Sequence, residues 1–465
     1  MKKNLLVVMV LMVTTYMFAQ TSNNVVPVYL DETQPLDKRI DDALKRMTLK
    51  EKVAMCHAQS KFSSPGVPRL GIPEIWFDDG PHGVKADIHW DSWDYAGCTD
   101  DSCTAFPSLT CLAATWNPSM SYLYGKALGE EARYRNKDVI LGPTINIYRT
   151  PLGGRNFESM GEDPYLTSVM VVPYIQGVQS NGVGACVKHF AVNNQEAYRL
   201  KVNVVVSERA LHEIYLPAFK TAAIKGKAWT FMGAYNKYKG EYCSYNPELV
   251  QEILKKEWGF DGVLMSDWGG THDTKNAALG GLDLEMGTDD FYPAYFFSTP
   301  LLKAVKAGQI PEKVIDEKVR RILRLDFRTS MNRQRPWGSF ATAAHDSVCR
   351  KISQEGIVLL KNDDLLPIKT GKYKNILVIG ENAIKKMTVG GGSSELKVAH
   401  EILPLDGIRA RFGKETSVKY TQGYVSSYQG CQSRGAYAMD AIKMAKDADL
   451  IIYVGGLNKQ HGQDC

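Results

Sequence analysis

The chain carries no strong excess of charge. Its 465 residues include 56 Lys and Arg against 51 Asp and Glu, a net of +5. No stripe of basic residues collects along it, which excludes a nucleic-acid footprint and leaves a solvated surface as the reading. Long apolar runs are also missing: beyond the N-terminus nothing approaches the ~20 consecutive apolar residues of a membrane-spanning helix. Nine cysteines are present, but none are spaced as zinc ligands, and no metal or other cofactor is implied. An odd count leaves at least one unpaired. Cys98 and Cys103, in one polar Gly- and Asp-rich loop, could close a disulfide in an oxidising compartment. Cys186, inside an apolar run, reads as a buried thiol. Gly390-Gly-Gly-Ser-Ser lacks the Gly-Lys-Ser/Thr ending of a P-loop, so it reads as a loop facing the first domain rather than a phosphate cradle.

What is present is ordinary soluble protein, 44% hydrophobic and 23% charged, and too long for one hydrophobic core. Two domains are expected. The N-terminus has its own character. Lys2 and Lys3 precede the apolar run Leu5 to Val13, Thr14 and Thr15 interrupt it, and Met17-Phe18-Ala19 follows. Charged region, short apolar region and small residue at a cleavage position together read as a signal peptide over residues 1–20. No Cys stands there to take a lipid. The expectation is a periplasmic or secreted chain, off the membrane after cleavage.

Residues 35–328 alternate apolar, strand-like runs with helical stretches. The runs are Ile72 to Phe77, Val139 to Ile147 (interrupted by Gly142 and Pro143), Val183 to Val187, Ala228 to Ala234, Gly262 to Met265 and Leu282 to Met286. Helices are expected over Ser207 to Lys225, with Ser207 as cap, and over Pro247 to Trp258, with Asn246 as cap. This rhythm predicts a parallel sheet with helical crossovers. The runs end in polar groups: Asp78-Asp79, Lys188-His189, Tyr235-Asn236 and Ser266-Asp267. A closed barrel gathers all strand ends around one mouth, so several reactive strand ends favour a (β/α)8-type TIM barrel over an open sheet. Residues 329–344, with Asn332-Arg-Gln-Arg-Pro-Trp-Gly, read as a linker. From 345 to 465 a helix (His345 to Glu355) and two buried strands (Lys374 to Gly380, Asp449 to Gly455) predict an α/β sandwich domain, incomplete because a parallel sheet needs more cover and closed edges.

Asp267, directly after a buried strand, either caps the next helix or serves chemistry. Trp268 beside it is either core or an aromatic face suited to the apolar C–H faces of a sugar. Lys188 and His189 end another strand, Arg199 follows on the next loop, Arg155 sits in Gly154-Arg-Asn-Phe-Glu, and Asp79 opens an Asp-Gly-Pro-His-Gly turn. Cations, an amide-rich loop and two carboxylates around one mouth imply a polyhydroxylated substrate. A Schiff-base aldolase on Lys188 is the competing chemistry, but it gives Asp267 and the two arginines no task.

Five motifs in this order, Asp79-Gly-Pro-His-Gly, Gly154-Arg-Asn-Phe-Glu, Lys188-His189-Phe, Tyr235-Asn236 and Ser266-Asp267-Trp, resemble glycoside hydrolase family 3, over about residues 35 to 465. The resemblance implies a barrel followed by an α/β sandwich, Asp267 as nucleophile, and Asp79, Arg155, Lys188, His189 and Arg199 as the holders of the terminal sugar. Tyr235 stands beside the nucleophile, and Trp268 forms a wall of the next subsite. It implies retaining hydrolysis through a covalent glycosyl-Asp intermediate, with nearby cations keeping Asp267 ionised. The partner is a small β-linked carbohydrate. Asp79, shorter than the Glu of xylosidase-like members, leaves room for a C6 hydroxymethyl and favours glucose. Phe190-Ala-Val-Asn-Asn-Gln-Glu lacks the Asp–Ser–His loop of N-acetylglucosaminidase-like members. The acid/base Glu of this branch is expected just after Gly456-Leu-Asn-Lys-Gln-His-Gly-Gln-Asp-Cys, past residue 465. The alternatives are a β-xylosidase or broad exo-β-glycosidase, and a sugar-binding chain without turnover.

Overall fold

The computed structural model describes residues 26–85, 91–92, 102–388, 390–425 and 434–456. The expected signal peptide, Cys98 and the loop from Leu457 onward lie outside them. The chain divides into two compact units, up to Thr48 and from Leu49. In the first, helix α1 (Leu36–Arg46) buries Ile40, Ala43 and Leu44 along one stripe. Asp37 in its first turn and Lys45 and Arg46 in its last complement the helix dipole. Asp42 accepts from Tyr29 N at 3.1 Å.

The second unit opens on α2 (Leu49–Met55) and then builds a ring of strands. A six-stranded sheet runs in chain order: β1 (Ser63–Ser64), β2 (Ile75–Asp79), β3 (Val139–Leu141), β4 (Gly184–Phe190), β5 (Thr230–Gly233) and β6 (Val263–Met265). From β2 to β6 every neighbour is parallel, while β1 runs antiparallel to β2. Single bridges complete the circle. Met265 pairs with Leu284, Glu285 with His57, and Ser60 turns back onto Ser63. With the segments at 57–60 and 284–285 counted, eight staves close the barrel. Closure leaves no edge on the ring. The sequence reading of Leu282 to Met286 as a full strand shrinks to these bridging residues, and the hairpin stave at 57–64 replaces one expected parallel strand.

Crossover helices lie between the strands: α3 (Pro118–Tyr134), α4 (Pro164–Gln179), α5 (Pro217–Ile224), the helix Glu248–Glu257, α6 (Thr274–Gly280), α7 (Thr299–Lys306) and α8 (Glu312–Arg328). Their starts follow capping chemistry. Asp163 accepts from Tyr165 N and Leu166 N ahead of Pro164, and Asn246 accepts from Leu249 N at 3.1 Å. Ser207 accepts from Ala210 N, as expected. The strand predicted over Val139 to Ile147 stops at Leu141, because Gly142-Pro143 removes a ladder donor. β4 instead runs on through Lys188 and His189, buried along its whole length.

After α9 (Ala343–Gly356), β7 (Asn375–Ile379) forms the middle of a three-stranded parallel sheet, flanked by β8 (Ser417–Thr421) and β9 (Leu450–Tyr453). Its alternating side chains face opposite layers. Ile376 and Val378 pack with Leu405 and Phe412 of α10 (Pro404–Phe412), and Leu377 and Ile379 with Ala441 of α11 (Arg434–Ala445). Helices on both faces make this the α/β sandwich the sequence predicts, but β9, expected to be buried, leaves Ile451 and Tyr453 exposed.

Residues 329–344 are docked, not free. Arg335 pairs with Asp138 at 2.8 Å, Phe340 stacks on Tyr134 at 5.3 Å, and Ser339 N donates to the Glu130 carbonyl. His345 at the start of α9 reaches back to α3, with Nδ1 2.8 Å from Glu131 and Nε2 2.9 Å from Glu130.

Candidate active site

The C-terminal ends of β2, β4, β5 and β6 converge at one mouth, and each delivers a named side chain. Asp79 is the last residue of β2. The turn after it requires glycine: Gly80 has φ +139°, and a Cβ there would meet the Gly83 carbonyl at 1.5 Å. Lys188 and His189 lie near the end of β4, where its pairing with β5 shifts register between Val187 and Phe190. Such an irregularity re-aims side chains at a barrel rim. Asn146 clamps His189 from both sides. Its Oδ1 accepts His189 N at 2.9 Å and its Nδ2 donates to His189 O at 3.0 Å. Tyr235 follows β5, and Asp267 and Trp268 follow β6.

Asp267 is buried, with one carboxylate oxygen held by Trp268 N at 2.8 Å and the other 3.7 Å from His189 Nε2. The Tyr235 hydroxyl donates to the Trp268 carbonyl at 2.7 Å. Trp268 is tethered in turn, its indole N–H donating to the Lys61 carbonyl at 2.6 Å and its ring tilted against Phe62. Arg199 pairs with Glu196 and lies 5.2 Å above the Tyr235 ring. Arg155 is gripped by Glu158 through two bonds, Nε to Oε1 at 3.2 Å and Nη2 to Oε2 at 2.7 Å, and its Nη1 stands 3.5 Å from His189 Nε2.

Burial sets the electrostatics. Asp79 is pushed up to about 6 by burial, with the Asp267 charge adding and Lys188, Lys85 and Arg155 opposing. Asp267 is also raised by burial, against Lys188, Arg155, the Trp268 N–H and Arg199. The sequence reading had the cations keep Asp267 ionised. They do pull that way, but desolvation by burial outweighs them and the net shift is upward. His189 is driven well below its ordinary value by burial and by Arg155, Lys188 and Arg199, so its imidazole is neutral. Burial likewise raises the Tyr235 phenol, helped by Asp267. The mouth therefore holds two carboxyls and a neutral imidazole among three cations, an arrangement that can grip hydroxyls and present one carboxylate to a reacting carbon.

All eight residues singled out from sequence, Asp79, Arg155, Lys188, His189, Arg199, Tyr235, Asp267 and Trp268, meet at this mouth. Sequence reasoning missed Glu158, Glu196 and Asn146, which hold three of them. For the glutamates a signal existed: each sits three residues from its arginine, the spacing of a local ion pair. Asn146 gave none.

The later α/β part of the unit reaches the same mouth. Gly390-Gly-Gly-Ser-Ser faces the barrel, as expected. The Ser393 hydroxyl lies 3.3 Å from Arg155 Nη2, Leu396 packs against Gly83, and Cys103 and Val398 form a parallel bridge.

Comparison with known proteins agrees with this arrangement. The family model for the glycosyl hydrolase family 3 N terminal domain matches residues 72–325, and that for the family's C-terminal domain matches residues 357–465. The chain is 54% identical to the β-glucosidase BoGH3A of Bacteroides ovatus, covering 100% of this chain and 65% of that protein. Among solved structures, β-glucosidase 3B from Thermotoga neapolitana in complex with α-D-glucose matches with a TM-score of 0.79 at 32% identity, over 92% of this chain and 63% of that one. DesR, a β-glucosidase from Streptomyces venezuelae in complex with D-glucose, matches with a TM-score of 0.76 at 36% identity, over 83% and 50%. The chain thus spans between half and two thirds of the length of these relatives.

Proposed function

The chain belongs to glycosyl hydrolase family 3, and on that footing we propose that it is the barrel-bearing part of an exported, retaining exo-β-glucosidase with Asp267 as its nucleophile. One observation carries the reading: Asp267 stands at the end of β6, its carboxyl plane set by the Trp268 N–H, among Lys188, Arg155, His189 and Arg199. In the first step an Asp267 oxygen bonds the anomeric carbon as the bond to the leaving oxygen breaks, giving a glycosyl ester. Water then attacks the same carbon, the ester bond breaks, and the two inversions restore the β configuration. Arg155, Lys188, His189 and Asp79 hold the ring hydroxyls, and these bonds tighten as the ring flattens toward an oxocarbenium ion. Export is supported by Lys2, Lys3 and the apolar run from Leu5 to Val13.

The test uses a leaving group that departs without a proton, so that it reports on Asp267 alone. Dinitrophenyl 2-deoxy-2-fluoro-β-glucoside should add one fluoroglucosyl group per chain, and peptide mapping should find it on Asp267. A label on any other carboxylate sinks the assignment, and borohydride trapping at Lys188 would favour the aldolase.

Asp79 supplies the substrate preference. Its short side chain leaves room for the C6 hydroxymethyl of glucose and accepts from the 4- and 6-hydroxyls. Asp79→Glu adds one methylene to a buried wall. The ratio of kcat/KM for dinitrophenyl β-glucoside over the β-xyloside should fall about 10- to 200-fold, the discrimination a methylene gives in a closed pocket. An unchanged ratio removes Asp79 from C6 recognition.

A further inference from the structure

Glu158 is buried to 1% exposure, and among the described residues it stands one layer behind the mouth rather than in it. Two bonds from Arg155 reach its two oxygens in a fork that fixes the guanidinium plane. Burial alone would raise this carboxyl. Arg155, Lys188 and the Ser394 hydroxyl overcome that and hold it at about 2, so it stays anionic throughout the working range. Its contacts also cross between two parts of the fold. Arg155 and Glu158 come from the segment after β3, whereas Ser393 and Ser394 come from the loop that precedes α10. That loop is itself seated. Ser394 Oγ lies 2.8 Å from the Gly391 carbonyl, Cys103 N donates to Lys397 O, and Ala399 N donates to Cys103 O, each at 2.9 Å. A Cβ on Gly390 would strike the His82 ring at 2.8 Å, so the loop lies directly on the turn that carries Asp79.

We propose that Glu158 is a positioning residue that aims Arg155 at the terminal sugar, and that the Ser393 hydroxyl, 3.3 Å from Arg155 Nη2, makes that aim depend on the seating of loop 390–396. The inference rests on the glycosidase reading. Two roles are separable. As a geometric clamp, Glu158 holds the arginine fork in one plane. As a charge, it offsets Arg155, and without it the field at Asp267 becomes more positive.

The same dinitrophenyl fluoroglucoside separates them on the full chain, with labelling of Asp267 followed against concentration and pH. In Glu158→Gln the loss of one charge-assisted bond should lower the second-order labelling constant tenfold or more, about one lost ion-paired contact. The acid limb of the profile should also move down by about one pH unit, because Arg155 is left uncompensated near Asp267. Glu158→Asp keeps the charge and shortens the arm, so it should lose affinity while its acid limb stays in place. Ser393→Ala leaves the Arg155–Glu158 bonds intact. It should raise the half-saturating concentration about tenfold or more, more than it lowers the limiting rate, for the loss of a hydrogen bond from a charged guanidinium. That variant carries the test if Glu158→Gln does not fold. A Glu158→Gln chain that labels at the unsubstituted rate with an unmoved acid limb overturns the positioning role. An unchanged half-saturation in Ser393→Ala overturns the coupling to the loop. Failure of the unsubstituted chain to label at all overturns the glycosidase reading itself, and is distinguished by that control.

Discussion

Asp267→Ala should release dinitrophenolate from dinitrophenyl β-glucoside about 10⁴-fold or more slowly, the scale on which loss of a nucleophile acts. Because the leaving group needs no proton, the loss reports on the carboxylate alone. Azide should restore part of the rate, since a small anion can enter the space vacated beside the Trp268 N–H and the His189 imidazole. It attacks from the face the carboxylate used, so the product should be α-glucosyl azide, a single inversion where the unsubstituted chain performs two. A β-azide, or a substituted chain that turns over normally, would remove Asp267 from the chemistry. The environment sharpens this expectation. Burial raises the Asp267 carboxyl, and Lys188, Arg155 and Arg199 lower it, so labelling should fall away on the acid side at a pH above that of an ordinary aspartate.

The second large effect is expected at the seam between α3 and α9. Glu131 is fully buried and accepts from three directions: His345 Nδ1 at 2.8 Å, Ala341 N at 3.1 Å and Thr104 N at 3.4 Å. The other His345 nitrogen faces Glu130 at 2.9 Å. A neutral imidazole donates from one nitrogen only, so both carboxylates are served only by the imidazolium. Burial lowers the His345 pKa, but the bonds and charges of Glu131 and Glu130 outweigh it and the net shift is upward. Lys126 pairs with Glu130 at 2.5 Å, so that carboxylate is matched from a second side.

Glu131→Ala should therefore cost about 3–5 kcal/mol, the penalty for leaving one side of a buried ion pair without its partner. Thermal unfolding followed by two probes, one in the barrel and one beyond α9, should separate into two transitions. A single transition with an unmoved midpoint would show that the docked linker does not depend on this contact. The pH dependence has a definite sign. A histidine whose folded pKa is raised contributes stability that is complete below its unfolded value near 6.5 and is lost as pH rises through the folded value. The stability gap between the unsubstituted chain and His345→Gln should thus be widest in mild acid and shrink toward alkaline pH.

Much of this was legible in the sequence, and the reason is periodicity. Fully buried strands such as β4 and β6 read as continuous apolar runs, and their polar ends marked the mouth. Prolines set boundaries that apolar character alone misplaced: Pro73 delays β2 to Ile75, and Pro143 ends β3 early. Ser417–Thr421 escaped notice because only Val418 and Tyr420 are apolar, each partly buried beside exposed neighbours, and its one buried residue is Thr421. The hairpin stave of β1 is two residues long and owes its existence to the ring it closes. Linker docking was invisible for the same reason. Arg335, Phe340 and His345 look like ordinary surface residues until α3 presents Tyr134 and Glu131 and the segment before β3 presents Asp138. The glutamates behind the arginines were passed over because a local Arg–Glu pair reads as surface charge, and only burial makes it a clamp.

The way the barrel closes has a consequence for motion. Strands β2 to β6 are joined by ladders, broken in register only between Val187 and Phe190, but the circle is completed by isolated bridges at His57, Ser60 and Leu284. Backbone held by single pairs opens locally at lower free energy than backbone in a continuous ladder. Asp79 ends the laddered β2 and Asp267 follows the laddered β6, whereas the Trp268 indole hangs from Lys61 and Phe62, at the loosely sewn hairpin. Amide exchange should be slowest under the sugar-gripping residues and fastest beneath that tryptophan. Such a division makes one side of the mouth a fixed gauge for the terminal ring and the other a compliant lip, able to accommodate leaving groups of different shape without disturbing the reacting carboxylate.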